Sequence, residues 1–353
     1  MYSILRISVV FFLLLCAVSA AGIGHPSAKG EENEPQFEEI RLTNDPVIDT
    51  DPSFSPDMSQ IVFISTIKGA AGRSVVHIMK ADGKDARPLC DVEGESHSRP
   101  LFSPDGKRVF FCYSRGEKKG IASVDLKGAD RKDYPVPSIG IGNLVMSPDG
   151  KKLVFVTLGD VQGLSYFDIE KGEGGKLVET PNHCDYPVFD HKGEYVYYVE
   201  FNDDGFANVC RVKADGTERK ILTTTKDGEG FENTYPQPVA DGRVFYLSDV
   251  KTGEYQVMTM NADGSDKKVL FEPENPFLSF AVNPSGTKVV LHVNTGVRQW
   301  EFYLYDTEKK TTVRLTNNQF RENQPEFSPD GKWILYVSDV MGNPEIYKLL
   351  VDK

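Results

Sequence analysis

The sequence predicts an all-β fold: a seven-bladed β-propeller of four-stranded antiparallel blades, its ring closed by an N-terminal strand joining the last blade. Three observations carry this. A hairpin phrase recurs seven times, each copy divides into four strands, and the letters RLTN occur twice, at residues 41–44 and 314–317, near opposite ends of the fold.

The phrase reads FSPDMSQIVFIS from Phe54, FSPDGKRVFFCY from Phe102, MSPDGKKLVFVT from Met146, FDHKGEYVYYVE from Phe189, VADGRVFYLSD from Val239, VNPSGTKVVLHV from Val282 and FSPDGKWILYVSD from Phe327. Its turn residue falls at Met58, Gly106, Gly150, Gly193, Gly242, Gly286 and Gly331, in steps of 48, 44, 43, 49, 44 and 45 residues. A period of 40–50 residues with four strands per unit is the signature of propeller blades. Each unit opens with a strand ending in Ser-Pro-Asp-Gly or a variant, where Pro and Asp start a turn and Gly supplies the positive φ that it needs. A nearly all-apolar second strand follows, as in Arg108-Val109-Phe110-Phe111, and such a strand is buried on both faces. A third strand runs into a second tight turn (KADGKD at Lys80, KADGTE at Lys213, NADGSD at Asn261), and a more polar fourth strand closes the unit.

The seventh unit has only three strands before the chain stops, whereas residues 37–44 form a fourth strand with no unit of their own. Pairing that strand with the last one completes blade seven and leaves no open sheet edge. Both RLTN copies then do the same job, each ending a fourth strand before a new blade.

Residues 1–21 combine Arg6, an apolar run over residues 9–15 and small residues at Val18-Ser19-Ala20, the pattern of a secretory signal peptide. The run is too short for a membrane span, which takes ~20 apolar residues. Residues 22–36 read as a flexible leader and residues 37–353 as a single propeller domain. An exported protein, periplasmic or at the cell surface and not membrane-spanning after cleavage, is expected. The net charge is −12, and Arg6 is the only charged residue in 1–21, so the remainder carries −13. Such a surface disfavours nucleic acid as a partner. Cys90, Cys112, Cys184 and Cys210 fall at places in the repeat too far apart for disulfides, so buried free thiols are expected. No metal site and no cofactor is expected: the six histidines lack close spacing, and neither Asp49/Asp51 nor Asp203/Asp204 has the pattern of a calcium loop.

The phrases PSFSPDMSQIVFIS, PLFSPDGKRVFFCY and PEFSPDGKWILYVSD, the first and last preceded by RLTN, resemble the TolB-like propeller repeat, also called PD40 or WD40-like, over nearly all of residues 37–353. The resemblance implies a periplasmic scaffold that binds partner proteins of the cell envelope. Related propellers gate prolyl-oligopeptidase-like proteases, or form oligogalacturonate lyases with a metal-bound histidine cluster. The chain departs from these patterns: it has one blade more than TolB's six, and it has no Gly-x-Ser-x-Gly motif.

Propellers bind ligands at the channel mouth, where the chain enters each first strand. Aligned on the turn residue, the candidate ligand-binding residues are Asp49, Asp51, His97, Arg99, Asp185, Tyr186, Asn233, Tyr235, Glu322 and Gln324. This polar mixture suits a peptide or a glycan. With no catalytic constellation apparent, the sequence reading is an exported non-enzymatic propeller that binds a protein or peptide of the cell envelope. The alternative is a carbohydrate-active lyase or glycoside hydrolase with acids such as Asp51, Asp185 and Glu322 at the mouth.

Overall fold

The computed structural model describes residues 37–69, 72–136, 140–159, 162–224, 232–251, 254–271, 277–296, 299–318, 320–339 and 342–352. The signal-peptide and leader expectations for residues 1–36 lie outside these. The strands assemble into seven four-stranded antiparallel sheets. Blades 1 to 6 span residues 49–88, 96–134, 140–179, 184–221, 233–271 and 277–314. Blade 7 is built from Glu322–Phe327, Trp333–Ser338 and Glu345–Leu350, with Glu39–Arg41 as its fourth strand. Ile40 lies opposite Lys348, and the ladder extends through Leu42 N–H to Ile346 O at 2.8 Å.

Blades stack because their second and third strands are apolar on both faces. Seven buried clusters result, one at each seam between neighbouring blades. At the closing seam, Leu42, Phe54, Ile61, Phe63 and Met79 meet Leu335 and Ile346. The first and last thirds of the chain therefore share one core. The first strands are innermost, and consecutive ones touch around the central channel.

The two RLTN segments make parallel contacts. Arg41 Nε donates to Thr43 O at 2.8 Å and its guanidinium pairs with Glu345 at 3.0 Å, while Arg314 Nε donates to Thr316 O at 2.7 Å and pairs with Glu301 at 3.0 Å. Thr43 Oγ accepts from Ile346 N–H at 3.0 Å, and Thr316 Oγ from Phe302 N–H at 2.8 Å. Each threonine stands between a third-strand glutamate and the first acid of the next blade. Thr43 gives its proton to Glu345 at 2.6 Å, and Thr316 gives its proton to Glu322 at 2.6 Å.

Cys90, Cys112, Cys184 and Cys210 are free and buried. Burial pushes the Cys112 and Cys210 thiols up to about 12, because a thiolate there would lose its hydration.

Three outcomes follow from this packing. Thr43→Val removes a buried hydroxyl and strands Glu345 Oε2 and the Ile346 amide, so unfolding by denaturant should show a loss of about 2–3 kcal/mol. Thiol labelling under native conditions should leave Cys112, Cys184 and Cys210 unmodified, and all should react once the chain is unfolded. The third concerns pH. Burial raises Asp49 to about 7 and Glu322 to about 8, from ordinary values of 3.8 and 4.5. Between those limits these two groups hold more protons in the folded chain than in the unfolded one, so their contribution to stability falls as pH rises from about 4 to about 8. Asp49→Asn combined with Glu322→Gln should make the melting temperature fall less, or rise more, across that window than it does in the wild type.

Candidate functional site

Seven of the inner-strand residues occupy the same place in their blades, seven positions before the turn residue: Asp51, Arg99, Asn143, Tyr186, Tyr235, Ser279 and Gln324. The ladder between first and second strands shifts register around this position in every blade, so each first strand is bulged here. In five blades the bulge residue is left-handed without being glycine: Asp51 (φ 50°), Arg99 (54°), Tyr186 (52°), Tyr235 (52°) and Gln324 (55°). Such a conformation costs on the order of 1–3 kcal/mol per residue and persists only where the surroundings impose it.

The sequence carries a signal for these bulges that the motif reading passed over. Each of the five is followed by proline: Pro52, Pro100, Pro187, Pro236 and Pro325. Proline has no N–H for the ladder and is tolerated inside a strand only at an edge or bulge. Leu144 and Phe280 take its place in blades 3 and 6, where Asn143 and Ser279 are not left-handed.

The bulges turn polar side chains toward the neighbouring blade, where they interlock. Arg99 Nε donates to Asn143 Oδ1 at 3.2 Å, and Asn143 Nδ2 donates to Asp185 Oδ1 at 2.7 Å. Asp185 also accepts its neighbour's amide, Tyr186 N–H, at 2.8 Å. The Tyr186 and Tyr235 rings lie 4.2 Å apart between centroids, with Tyr186 O–H donating to Tyr235 Oη at 3.1 Å. Across the closing seam, Gln324 Nε2 donates to Asp51 Oδ1 at 2.8 Å while Gln324 Oε1 accepts from Asp51 N–H at 3.1 Å. Burial raises both tyrosine pKa values, aided for Tyr186 by Tyr235, so both phenols are neutral donors at physiological pH.

Thus the structure brings together Asp51, Arg99, Asp185, Tyr186, Tyr235 and Gln324 of the predicted residues. It places Asp49, His97, Asn233 and Glu322 elsewhere: they begin their strands inside the blade and are 0–6% exposed. The connection from the preceding blade covers them, as Thr316 and Asn318 cover Glu322. His97 is held by Val76 N–H at 3.3 Å and Glu95 at 3.4 Å, and burial lowers it to about 4. Glu322 is therefore not an acid of the mouth. Two residues further along each first strand lies a group that the motif reading missed. Glu326 is exposed to the channel, where its Oε1 accepts from Ser53 Oγ across the closing seam at 3.0 Å.

No protein-family model matches the chain. It is 32% identical over 150 residues, 42% of its length, to the uncharacterized peptidase YuxL of Bacillus subtilis, of which this is 21%. It is 22% identical over 341 residues, 92% of its length, to dipeptidyl-peptidase 5 of Porphyromonas endodontalis, of which this is 42%. The chain thus spans well under half the length of either peptidase. Two solved oligogalacturonate lyases match nearly end to end. One, from Vibrio parahaemolyticus, has a TM-score of 0.73 and 18% identity, covering 91% of this chain and 95% of that one. The other, in complex with manganese, has a TM-score of 0.75 and 19% identity, covering 93% and 99%. TolB from Acinetobacter baumannii reaches 0.54 at 17% identity, over 76% of this chain and 66% of that one.

These comparisons correct one expectation. The non-enzymatic reading is overturned by the whole-length likeness to lyases and by the peptidase relatives. The resemblance to TolB holds at the level of the propeller. Of the described histidines, His77, His97, His183, His191 and His292, one pair belongs to blade 4 and the others to blades 1, 2 and 6. Among the described residues no group of three or more His, Cys, Asp or Glu side chains is placed to hold a metal ion, so the residues described here do not fit the manganese of that neighbour.

Proposed function

We propose that the chain is an exported carbohydrate-active enzyme that cleaves glycosidic bonds of an oligosaccharide seated on the channel mouth. The observation that carries this reading is the ring of strained, interlocked bulge residues at that mouth. Five unfavourable backbone conformations kept at one level of the channel hold a fixed set of donors and acceptors, and strain of this kind clusters where ligands are clamped. The chemistry suits a sugar: Arg99, Asn143, Asp185 and Gln324 match hydroxyl groups, and the Tyr186–Tyr235 pair offers an apolar face with a polar edge. Arg99 is the one cation among the seven bulge residues, and its fork accepts a carboxylate in two hydrogen bonds, which favours an acidic sugar despite the acidic surface. The end-to-end match to lyases supports a carbohydrate ligand over a peptide one.

A panel of uronic-acid-containing and neutral oligosaccharides, assayed for new reducing ends and for ultraviolet-absorbing unsaturated products, tests the reading. Cleavage should be strongest for an acidic oligosaccharide. Tyr186→Ala should raise KM about tenfold, the loss of a stacking contact worth on the order of 1 kcal/mol or slightly more. Arg99→Ala should weaken acidic substrates more than neutral ones. Hydrolysis of peptides with no turnover of any saccharide sinks the reading and moves the chain to the peptidase class.

A further inference from the structure

We propose that Glu326 is the proton donor of this reaction and that Asp51, on the facing strand, takes the proton of an attacking water. The inference rests on the glycosidic reading above and adds the reaction type and its two working groups.

Three features of the channel point to the pair. First, Glu326 sits on the inner strand Glu322–Phe327, just past its bulge, where solvent reaches it. Second, the wall at its level is largely apolar. The equivalent residues of blades 2, 3, 4 and 6 are Leu101, Val145, Val188 and Ala281, leaving Ser53 and Gln237 as the polar ones. Gln237 is already occupied, donating to Phe280 O at 2.9 Å and accepting from Val282 N–H at 2.8 Å. Third, Asp51 lies one level nearer the mouth, locked by both ends of Gln324. Asp51 comes two residues before Ser53, the hydrogen-bond partner of Glu326, so the two carboxyls are offset by one bulged step along the facing strands. An acid and a base set apart across a bound sugar, with room for a water, are what inverting hydrolysis uses.

The surroundings of Glu326 favour its acid form. The apolar wall around it withdraws water from its charged form, and this desolvation raises it to about 7 against the opposing hydrogen bond from Ser53. Its neighbours carry no compensating charge: Leu335 is its cross-strand partner in blade 7, Ser279 and Ala281 lie on the blade 6 side, and Ser53 faces it from blade 1, with Asp51 beyond. A carboxylic acid still protonated near neutral pH is what a general acid requires.

The step balances without a co-reactant. The bond from the anomeric carbon to the glycosidic oxygen breaks, its electron pair stays on that oxygen, and the oxygen takes the Glu326 proton. Water oxygen bonds to the anomeric carbon and its proton passes to the Asp51 carboxylate. Solvent then returns the proton from Asp51 to Glu326, and the net reaction is addition of one water.

Steady-state kinetics on the best oligosaccharide, and on an aryl glycoside of the same sugar with a good leaving group, test the assignment. For Glu326→Gln we expect kcat on the oligosaccharide at least ~100-fold lower with KM unchanged, activity on the aryl glycoside largely kept, and the alkaline limb of the wild-type pH profile gone. Asp51→Asn should lose both substrates. Ser53→Ala, which removes a contact that lowers the pKa of Glu326, should move the alkaline limb to higher pH, and it tests the assignment even if Glu326→Gln fails to fold. A Glu326→Gln protein with wild-type kcat, or one that keeps the alkaline limb, overturns the role of Glu326. Unsaturated products from the wild type overturn the hydrolytic step and leave the glycosidic reading standing. A wild type that cleaves no saccharide overturns both.

Discussion

Blade 7 borrows its outer strand from the other end of the chain, and the rest of the ring depends on that loan. Glu39–Arg41 contributes only three ladder residues. Its hold comes from side chains: Thr43 spans Glu345 and the Ile346 amide, Arg41 pairs with Glu345, and Leu42 enters the core between blades 7 and 1. Without it, blade 7 would expose a free edge and the closing seam would lose part of its apolar filling. A blade cannot bury both faces alone, so an opened ring weakens every seam, not just one.

The closure also fixes the chemistry of the channel. The same seam brings Gln324 against Asp51 and Glu326 against Ser53, pairs of residues 273 positions apart in sequence. Behind them lie buried acids that serve the fold. Asp49 and Glu322 begin their strands under the incoming connection, and burial raises the pKa of each. Thr43 favours Glu345 and leaves neither Asp49 oxygen with a hydrogen-bond partner, while Thr316 favours Glu322 and leaves Glu301 Oε2 without one. Two copies of one phrase thus produce two versions of one carboxylate pair, and the stability of the ring becomes sensitive to pH near neutrality.

The bulges account for the division between acids that support the fold and polar groups that face a ligand. A regular first strand would send alternate residues to opposite faces of the blade. The extra residue, with proline after it in five blades, breaks the alternation and turns one polar side chain per blade toward its neighbour at the channel. Blades 3 and 6 lack the proline and the left-handed residue, so the ring is uneven. Its donors and acceptors concentrate along blades 2 to 4 and at the closing seam, with the two stacked tyrosines between blades 4 and 5.

Periodicity alone determined the blade count, the strand order within a blade and the closure by residues 37–44, because each is written in local turn chemistry and apolar runs that repeat. It also put Asp51, Arg99, Asp185, Tyr186, Tyr235 and Gln324 at the channel, since alignment on the turn residue fixes level along a strand. Alignment could not say which way a side chain faces. Asp49, His97, Asn233 and Glu322 shared the right level range and proved to be interior, because the connection from the preceding blade covers the start of each strand. Nor could it single out Glu326, whose raised pKa comes from the desolvating, largely apolar surroundings that other blades supply at the same height. Direction across a bulge, and the company a carboxyl keeps around a ring, depend on contacts between blades, and only the tertiary structure decides them.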